Sequence, residues 1–316
     1  MRGLGMFATK VKSFAKLNLC LSVQDVACGY HLLDGVAATI DIYDTICVKP
    51  RSDKLINVYM HGKGSENIPP EKNNAVKAGE AFVDAFGTKG ADIEIYKDIP
   101  MGAGLGGSSA DAAGVLNAMA KRYKIKDRAA LKEIADSLGS DTGYLLTGGF
   151  ARLTGRGEKV QPLNCPKRLN FLLILPKSDV STAECFREYD RMPVPFISAD
   201  KMSEAIGAGD FEGIAASVSN ALQAPAARLN QEVEEALKAA ESLSPSAYGV
   251  TGSGSCVYLL YETEELCRWA KSRYKGKCRT RVVRTVDPNK KSNTRWANPF
   301  VLTEEEIEAA RENDED

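Results

Sequence analysis

Residues 100–113 read PMGAGLGGSSADAA and join two segments of different periodicity. In residues 91–100, Ile93 and Ile95 alternate with charged residues, which predicts a strand. Residues 110–125 have the composition and apolar spacing of a helix. A helix that begins at a glycine loop presents free backbone N–H groups and the positive end of its dipole to one place. The junction therefore predicts a binding site for an anion such as phosphate.

The glycine spacing by itself allows other interpretations. Gly102, Gly104 and Gly107 satisfy G-x-G-x-x-G, but a dinucleotide fold needs a second strand after the helix, and here KIKDR leads into another helix. The loop lacks the lysine of a Walker A motif, and the H-R-D and D-F-G strings of protein kinases do not occur in the chain. A plain turn with Ser108 or Ser109 as the helix N-cap is the simplest alternative to anion binding.

The elements around the loop predict an α+β fold. Residues 9–23 alternate apolar and polar side chains and predict a strand, and residues 29–50 predict two strands broken by small residues. Helical spacing over residues 73–87 predicts a helix with Asn73 or Asn74 as N-cap and Gly87 at its end. Strands and helices continue in mixed order through the second half without regular βαβ repetition.

Composition narrows the class of protein. The chain has 316 residues, which favours two domains, and 44% apolar residues, which suffice for ordinary buried cores. The formal net charge is −1, so no basic surplus predicts nucleic-acid binding, and no apolar run is long enough to span a bilayer. The first residues lack a signal-peptide pattern, and we expect a cytoplasmic protein. Pro162 and Pro166 bracket the expected domain boundary, and residues 289–316 form a charged tail.

The chain has eight cysteines and two histidines, and none of the cysteines forms a C-x-x-C pair. This pattern does not match the ligand spacing of a zinc site. We expect reduced, partly buried thiols. A catalytic Cys–His pair is a low-ranking alternative, because no nucleophile motif accompanies it.

Five stretches resemble motifs of the GHMP kinases, in the order in which that family carries them. The glycine loop resembles the second motif, and the other stretches are FAKLNLCL, GYH, LGSDTGYLLTGG and GVTGSGSCVYLL. Within the family they are most similar to the kinases that phosphorylate the 2-hydroxyl of 4-diphosphocytidyl-2-C-methyl-D-erythritol, a step of non-mevalonate isoprenoid synthesis. The resemblance implies a two-domain α+β GHMP fold. An ATP-binding domain like ribosomal protein S5 would span residues 1–163, and a ferredoxin-like domain residues 164–288.

The resemblance also implies an ATP-dependent kinase with Lys16 and Asp141 as its catalytic pair. Asp141 would accept the proton of the acceptor hydroxyl, and Lys16 would hold Asp141 ionised and screen charge near the attacking oxygen. Asn18 would contact the substrate beside them. Without the family motifs, Lys16 resembles an edge-strand lysine and Asp141 a turn or capping residue.

Further residues are assigned to the two ligands by the same resemblance. The ATP side, with Mg²⁺ bridging phosphate oxygens, would comprise Asn74, Lys97, Gly102, Gly104, Gly106, Gly107, Ser108 and Ser109. The substrate, a small molecule with a cytidine diphosphate moiety, would contact Asn18, Tyr30, His31, Thr182 and Phe186, with aromatic rings around the flat base. The protein ligands of the metal are unknown at this point, and both a monomer and a homodimer stay open.

Several positions depart from the family pattern. Asp141 is followed by Thr142 and Gly143, where the family carries Val or Ile and then Pro. Phe14 replaces a proline, and Ala110 replaces a serine. These differences leave open a divergent GHMP kinase for another small alcohol. Two alternatives from other classes are an NAD-dependent oxidoreductase and a nucleotide-binding protein without turnover.

Overall fold

The computed structural model describes residues 8–27, 29–62, 64–65 and 68–286. The predicted tail, residues 289–316, lies outside the described residues. Strands and helices are mixed along the chain and build a seven-stranded and a four-stranded sheet. This arrangement confirms the α+β class.

A long antiparallel hairpin forms the centre of the first sheet. Its strands are β1 (Thr9–Ala27) and β2 (Tyr30–Pro50). The prediction of two separate strands within residues 29–50 is wrong. The register between β1 and β2 slips at three places, and such bulges bend a hairpin while its pairing continues. Gly35 marks a close approach rather than a break, since a Cβ there would lie 2.5 Å from the carbonyl oxygen of Cys20.

β1 pairs along one edge of β2, and the opposite edge of β2 is long enough to pair with two further strands. The strands on this side of β2 are β3 (Ile56–His61), β4 (Ala91–Tyr96), β5 (Phe150–Gly155) and β6 (Lys159–Leu163). β5 pairs with the first half of β2 and β4 with its second half, while β3 extends β4 and β6 extends β5. β1 and β4 therefore both pair with the continuous β2, and the glycine loop begins from the same sheet to which β1 belongs.

Four helices belong to the same half of the chain as this sheet. They are α1 (Asn74–Phe86), α2 (Gly107–Tyr123), α3 (Arg128–Leu138) and α4 (Thr142–Leu145), and a 3₁₀ turn, Pro70–Lys72, precedes α1. The Asn73 side chain caps α1 by accepting from the backbone N–H of Ala75 at 3.0 Å, and Gly87 ends the helix at φ +62°. Both features confirm the predicted start and stop signals. Small residues bring α2 close to the sheet, because a Cβ at Gly114 would lie 2.6 Å from Ile46.

The second sheet is antiparallel throughout. Its strands are β7 (Asn170–Leu175), β9 (Ala247–Val250), β10 (Val257–Tyr261) and β11 (Arg279–Arg284), in the order β11-β7-β10-β9. A short β8 (Ser219–Asn220) leaves this half of the chain and pairs parallel with β1 at Cys20 and Leu21. The two halves are thus joined by backbone pairing as well as by side-chain packing.

Helices flank the second sheet. They are α5 (Thr182–Arg191), α6 (Asp200–Ala208), α7 (Phe211–Ala216), α8 (Gln223–Leu229), α9 (Gln231–Ser242) and α10 (Glu264–Arg273). Their starts follow capping rules, as at α5, where the Ser181 side chain accepts from the N–H of Glu184. Across the part of the chain that the structure describes, no helix combines the length and apolarity needed to cross a bilayer.

Candidate active site

The glycine loop enters α2 through three glycines with a left-handed backbone. Gly102, Gly104 and Gly106 have φ values of +66°, +73° and +75°, a region that residues with a Cβ rarely adopt. Gly106 is the N-cap of α2 and has no side chain to offer, so neither Ser108 nor Ser109 caps the helix. The first-turn N–H groups of α2 therefore have no capping side chain and can donate to a ligand.

A distant segment of the chain holds the loop in place. The hydroxyl of Thr251 donates to the Gly104 carbonyl at 3.3 Å, and the N–H of Cys256 donates to the Ala103 carbonyl at 3.1 Å. A Cβ at Gly104 would lie 2.2 Å from the carbonyl oxygen of Thr251, so only glycine fits at this contact. Two sequence motifs that are far apart in the chain thus form one structural unit.

A cavity of about 160 Å³ lies against the loop. Its other walls include Met60, Ile68, Lys72, Asn73, Lys97 and Asp111. At its edge the Asn74 amide donates to the hydroxyl of Ser108 at 3.1 Å, which ties α1 to the first turn of α2. The predicted nucleotide-side residues Asn74, Lys97 and Ser108 therefore meet around the glycine loop.

Lys16 lies on β1 directly after a register slip, and it is buried. Its backbone N–H donates to the carbonyl of Leu105 at 3.0 Å, so the strand and the glycine loop are in direct contact. The side chain is only 5% exposed, and its ammonium donates to Asn18 Oδ1 at 2.6 Å. A buried lysine needs such neighbours to offset the loss of hydration. The edge-strand alternative for Lys16 does not fit this buried position.

Asp141 faces Lys16 from the start of α4. The distance from Asp141 Oδ2 to Lys16 Nζ is 3.4 Å, and the aspartate side chain is 29% exposed. Asp141 occupies the N-cap position, but its carboxylate makes no capping hydrogen bond. The carboxylate is therefore held by a cation, open to solvent on one side, and not used by the helix.

Lys97 lies in a drier environment at the end of β4. Its ammonium donates to Asp111 Oδ2 at 2.6 Å and to Asp44, and all three side chains are at most 8% exposed. Burial raises the pKa of Asp111 to about 8, against the opposing effect of Lys97. Burial lowers the pKa of Lys97, but Asp111 and Asp44 outweigh it and the net change is upward. Burial thus favours the neutral form of Asp111, while the two neighbouring aspartates favour the charged form of Lys97.

The predicted substrate residues fall into two groups. Asn18 lies beside Lys16, and its backbone N–H donates to the hydroxyl of Thr251 at 3.0 Å. Thr182, at the start of α5, is hydrogen-bonded to Ser253 at 2.9 Å between hydroxyl oxygens. Both contacts connect the substrate side to the segment that holds the glycine loop.

The aromatic residues do not all meet. His31 stacks on Phe186 with ring centroids 4.5 Å apart and planes 22° from parallel. Tyr30 is 55% exposed, and Arg156 lies over its ring at 4.8 Å. Neighbouring residues of a strand point to opposite faces, which explains why Tyr30 and His31 have different surroundings. The ring that stacks on Phe186 in this structure is thus the imidazole of His31.

The cysteines in the described part of the chain are free thiols. Burial raises the pKa of Cys20 and Cys267 to about 12 and that of Cys185 to about 11. Such thiols remain protonated and are poor nucleophiles. The cysteine-nucleophile alternative gains no support from these three.

Comparison with known proteins gives the family. GHMP kinase family models match twice, the N-terminal domain over residues 73–151 and the C-terminal domain over residues 202–268. The 4-diphosphocytidyl-2-C-methyl-D-erythritol kinase of Cutibacterium acnes is 35% identical over 266 residues, covering 80% of this chain and 86% of that protein. The protein of the same name from Pelotomaculum thermopropionicum is 36% identical, covering 87% and 96%. The chain belongs to the 4-diphosphocytidyl-2-C-methyl-D-erythritol kinase family of GHMP kinases.

Solved structures agree with this family. A crystal structure of a 4-(cytidine 5'-diphospho)-2C-methyl-D-erythritol kinase is 29% identical with a TM-score of 0.72, covering 88% of this chain and 99% of that one. A homoserine kinase from Cytophaga hutchinsonii has a TM-score of 0.69 at 17% identity, covering 91% and 96%. The second likeness concerns the fold alone. The α+β GHMP kinase fold is therefore established for this chain.

The structure explains how the chain accommodates Thr142 and Gly143, which differ from the family motif after Asp141. Gly143 takes the position of the proline in the family motif, and a Cβ at Gly143 would lie 2.1 Å from Asp136 Oδ1. Asp136 of α3 thus fills the space of the missing side chain, and Lys132 binds its other carboxylate oxygen at 2.5 Å. The start of α4 keeps its helical turn, with the N–H of Leu145 donating to the Asp141 carbonyl at 3.0 Å. The altered residues leave Asp141 beside Lys16.

Sequence reasoning missed several residues of this site. Asp44 lies on the same face of β2 as the buried Ile40, Ile42 and Ile46, so an acidic residue on an apolar face was the available signal. Asp111 lies near the predicted start of a helix, where an acidic residue is favourable without any further role. Thr251 and Ser253 lie within the motif GVTGSGSCVYLL, but their partners Asn18 and Thr182 are far away in the chain, so no local pattern predicted these contacts. Asp190 lies in no motif, and its contact with His31 had no local signal.

Proposed function

We propose that the protein is an ATP-dependent 4-diphosphocytidyl-2-C-methyl-D-erythritol kinase. It transfers the γ-phosphoryl group of ATP to the 2-hydroxyl of the methylerythritol moiety, in the cytoplasm. The observation that carries this proposal is the distance of 3.4 Å between Lys16 and Asp141, with Lys16 on a strand that is hydrogen-bonded to the glycine loop. A cation, a carboxylate and a phosphate-binding helix start are thus adjacent, as phosphoryl transfer requires.

In this mechanism Asp141 accepts the proton of the acceptor hydroxyl. Its solvent-accessible carboxylate has no helix-capping hydrogen bond, so an incoming hydroxyl can reach it. Lys16 keeps the carboxylate ionised and, with its ammonium oriented by Asn18, lowers the energy of negative charge near the attacking oxygen. The proton that leaves the hydroxyl stays on Asp141 until the product is released.

The glycine loop binds the phosphates of ATP. Gly104, Gly106 and Gly107 allow close approach, and the first-turn N–H groups of α2 donate to phosphate oxygens. Asn74 and Lys97 line the nucleotide side, and the dry Lys97 cluster gives the loop a fixed support. Binding and orientation account for most of the rate increase in this type of chemistry.

Magnesium arrives with ATP in this proposal. A magnesium ion at a nucleotide site is held in large part by phosphate oxygens and water. The hydroxyls of Ser108 and Ser109, in the first turn of α2, are oxygen donors of the type that Mg²⁺ prefers, and they would hold it. Bound there, the ion would neutralise charge between the phosphates.

The cytidine diphosphate end of the substrate lies, in this proposal, along the second half of the chain. Tyr30, His31 and Phe186 contact the cytosine, and Asn18 and Thr182 contact the remainder. The stack of His31 on Phe186 and the Thr182–Ser253 hydrogen bond support a continuous surface from α5 to Asn18.

Product analysis tests the proposal. Purified protein with Mg-ATP and 4-diphosphocytidyl-2-C-methyl-D-erythritol should release ADP and give one new phosphomonoester signal by ³¹P NMR, while homoserine and mevalonate give none. Turnover with one of those alcohols instead would establish a divergent GHMP kinase. Thermal stabilisation by NADH but not by ATP would overturn the kinase assignment, since a ligand stabilises the state that binds it.

A further inference from the structure

One helix face surrounds the imidazole of His31. Phe186 stacks on the ring, Tyr189 meets it edge-on at 6.2 Å, and Asp190 Oδ1 lies 2.7 Å from Nε2. These three residues are spaced as neighbours on one face of α5. The His31 side chain is 19% exposed. Within the described part of the chain, Nδ1 has no hydrogen-bond partner.

A carboxylate can only accept hydrogen bonds, so Asp190 requires a proton on Nε2 of His31. In the neutral ring the single proton is then on Nε2, and Nδ1 carries a lone pair. The stack on Phe186 limits rotation of the ring, and the Asp190 contact removes the alternative flip. Nδ1 of His31 is therefore a hydrogen-bond acceptor of fixed direction.

We propose that Asp190 is a positioning residue that makes the His31 imidazole selective for cytosine over uracil. This inference rests on the proposed function, which brings a cytidine diphosphate moiety to His31. The exocyclic amino group of cytosine donates a hydrogen bond and matches the lone pair of Nδ1. Uracil carries a carbonyl oxygen at the same position, so two acceptors would face each other. Asp190 itself touches neither the base nor the reacting atoms.

The expected size of the selectivity follows from one matched or mismatched hydrogen bond. Leaving a polar group unpaired in a partly buried site weakens binding by about tenfold or more. Wild-type protein should therefore bind CDP at least about tenfold more tightly than UDP. In Asp190→Asn, the side-chain amide can present either its oxygen or its NH₂ group to Nε2 of His31. The variant therefore allows both tautomers of the His31 ring. The CDP-to-UDP ratio of affinities should then fall by about fivefold or more, mainly through weaker CDP binding.

Calorimetric titration with free CDP and UDP measures this ratio. The titration is done at pH 8.5, about two pH units above the pKa of free imidazole. Asp190→Ala is the second test variant and should behave like Asp190→Asn. Glu184→Gln is the matched control, because Glu184 is an exposed acidic residue of the same helix that pairs with Arg187. The control should keep the wild-type ratio.

A spectroscopic measurement separates positioning from general damage to the site. The chain has two histidines, His31 and His61, so ¹⁵N-histidine spectra give two rings, and His61→Gln assigns them. Wild-type His31 should show the tautomer protonated at Nε2, and Asp190→Asn should show a mixture of tautomers with the fold intact.

An unchanged tautomer or an unchanged CDP-to-UDP ratio in both Asp190 variants would overturn the inference. The proposed function can fail separately. If wild-type protein binds neither CDP nor UDP, the cytidine substrate itself is wrong, and the tautomer measurement still reports on Asp190. If wild-type protein prefers CDP and both Asp190 variants keep that preference, the positioning role of Asp190 is disproved while the cytidine substrate stands.

Discussion

Two groups of lysine and aspartate side chains lie beside the glycine loop. They differ in the distance between nitrogen and oxygen atoms and in the exposure of the aspartates to water. Lys16 and Asp141 are 3.4 Å apart, and the aspartate is 29% exposed. Lys97 lies within hydrogen-bond distance of both Asp44 and Asp111, and these carboxylates are nearly or fully buried. The first pair is loose and open on one side, whereas the second cluster is tight and dry.

The difference indicates that the first pair serves catalysis and the second cluster serves stability. A carboxylate that is paired loosely and reaches solvent can take up a proton from a ligand. A carboxylate that is fully hydrogen-bonded in a dry site has no free direction, and Asp44 also accepts from the backbone N–H groups of Asp98 and Ile99. We therefore expect substitutions in the first pair to reduce turnover and substitutions in the second cluster to reduce stability.

The largest effect on stability is expected at Asp44. Asp44→Ala leaves Lys97 with one carboxylate fewer and two backbone N–H groups without their acceptor. The free energy of unfolding should fall by about 3–5 kcal/mol, as when a buried ion pair loses one member. Urea denaturation measures it. A loss below about 1 kcal/mol would show that the cluster is not a structural support.

Lys16→Met is the corresponding test of the open pair. The side chain is buried and methionine has a similar shape, so packing is largely kept. Turnover should fall by about 10²-fold because a positive charge beside the reacting atoms is lost. Lys10→Met, on the exposed part of the same strand, should leave the steady-state rate unchanged. Equal rates for the Lys16 variant and wild type would remove the catalytic role of Lys16.

The pH dependence of folding probes the closed cluster further. Burial raises the pKa of Asp111 from 3.8 to about 8, so between these values the folded protein holds a proton that the unfolded chain has released. The folded state binds more protons, and stability contributed by this group must decrease as pH rises from about 4 to 8. Denaturation of wild type and Asp111→Asn across this range should show a flatter profile for the variant. A steeper decline in the variant would contradict the protonated state of Asp111.

The smallest effect is expected for an exposed ion pair. Glu234 and Lys238 are paired four residues apart on the outer face of α9, and both side chains are at least half exposed. Glu234→Gln should change the free energy of unfolding by less than about 0.5 kcal/mol. The same denaturation experiment that measures Asp44→Ala provides the comparison. A loss as large as that of Asp44→Ala would show that burial does not explain the difference between ion pairs in this protein.

Local signals in the sequence predicted much of this structure. The caps of α1 at Asn73 and Gly87 and the glycine loop before α2 are determined by residues next to one another, and each lies where its pattern indicated. The five motifs placed Lys16 and Asp141 in a common family site, and the chain brings them together.

Other features depend on contacts that no local pattern encodes. β2 is one strand because its pairing with β1 continues across three register slips, which no local pattern in residues 29–50 predicts. Asp44 and Asp190 gain their roles from Lys97 and His31, which are 53 and 159 positions away in the chain. The pairing of Gly143 with Asp136 likewise becomes visible only when α3 and α4 pack.

The most direct test of the account compares Asp141→Asn with wild type in two measurements on the same preparation. Release of ADP from Mg-ATP and 4-diphosphocytidyl-2-C-methyl-D-erythritol should fall by about 10³-fold, while ATP binding and the urea midpoint stay close to wild type. This result would assign Asp141 to the chemistry and not to the fold. Turnover within a few-fold of wild type, in a folded variant that binds ATP, would contradict the central claim that the open pair carries catalysis.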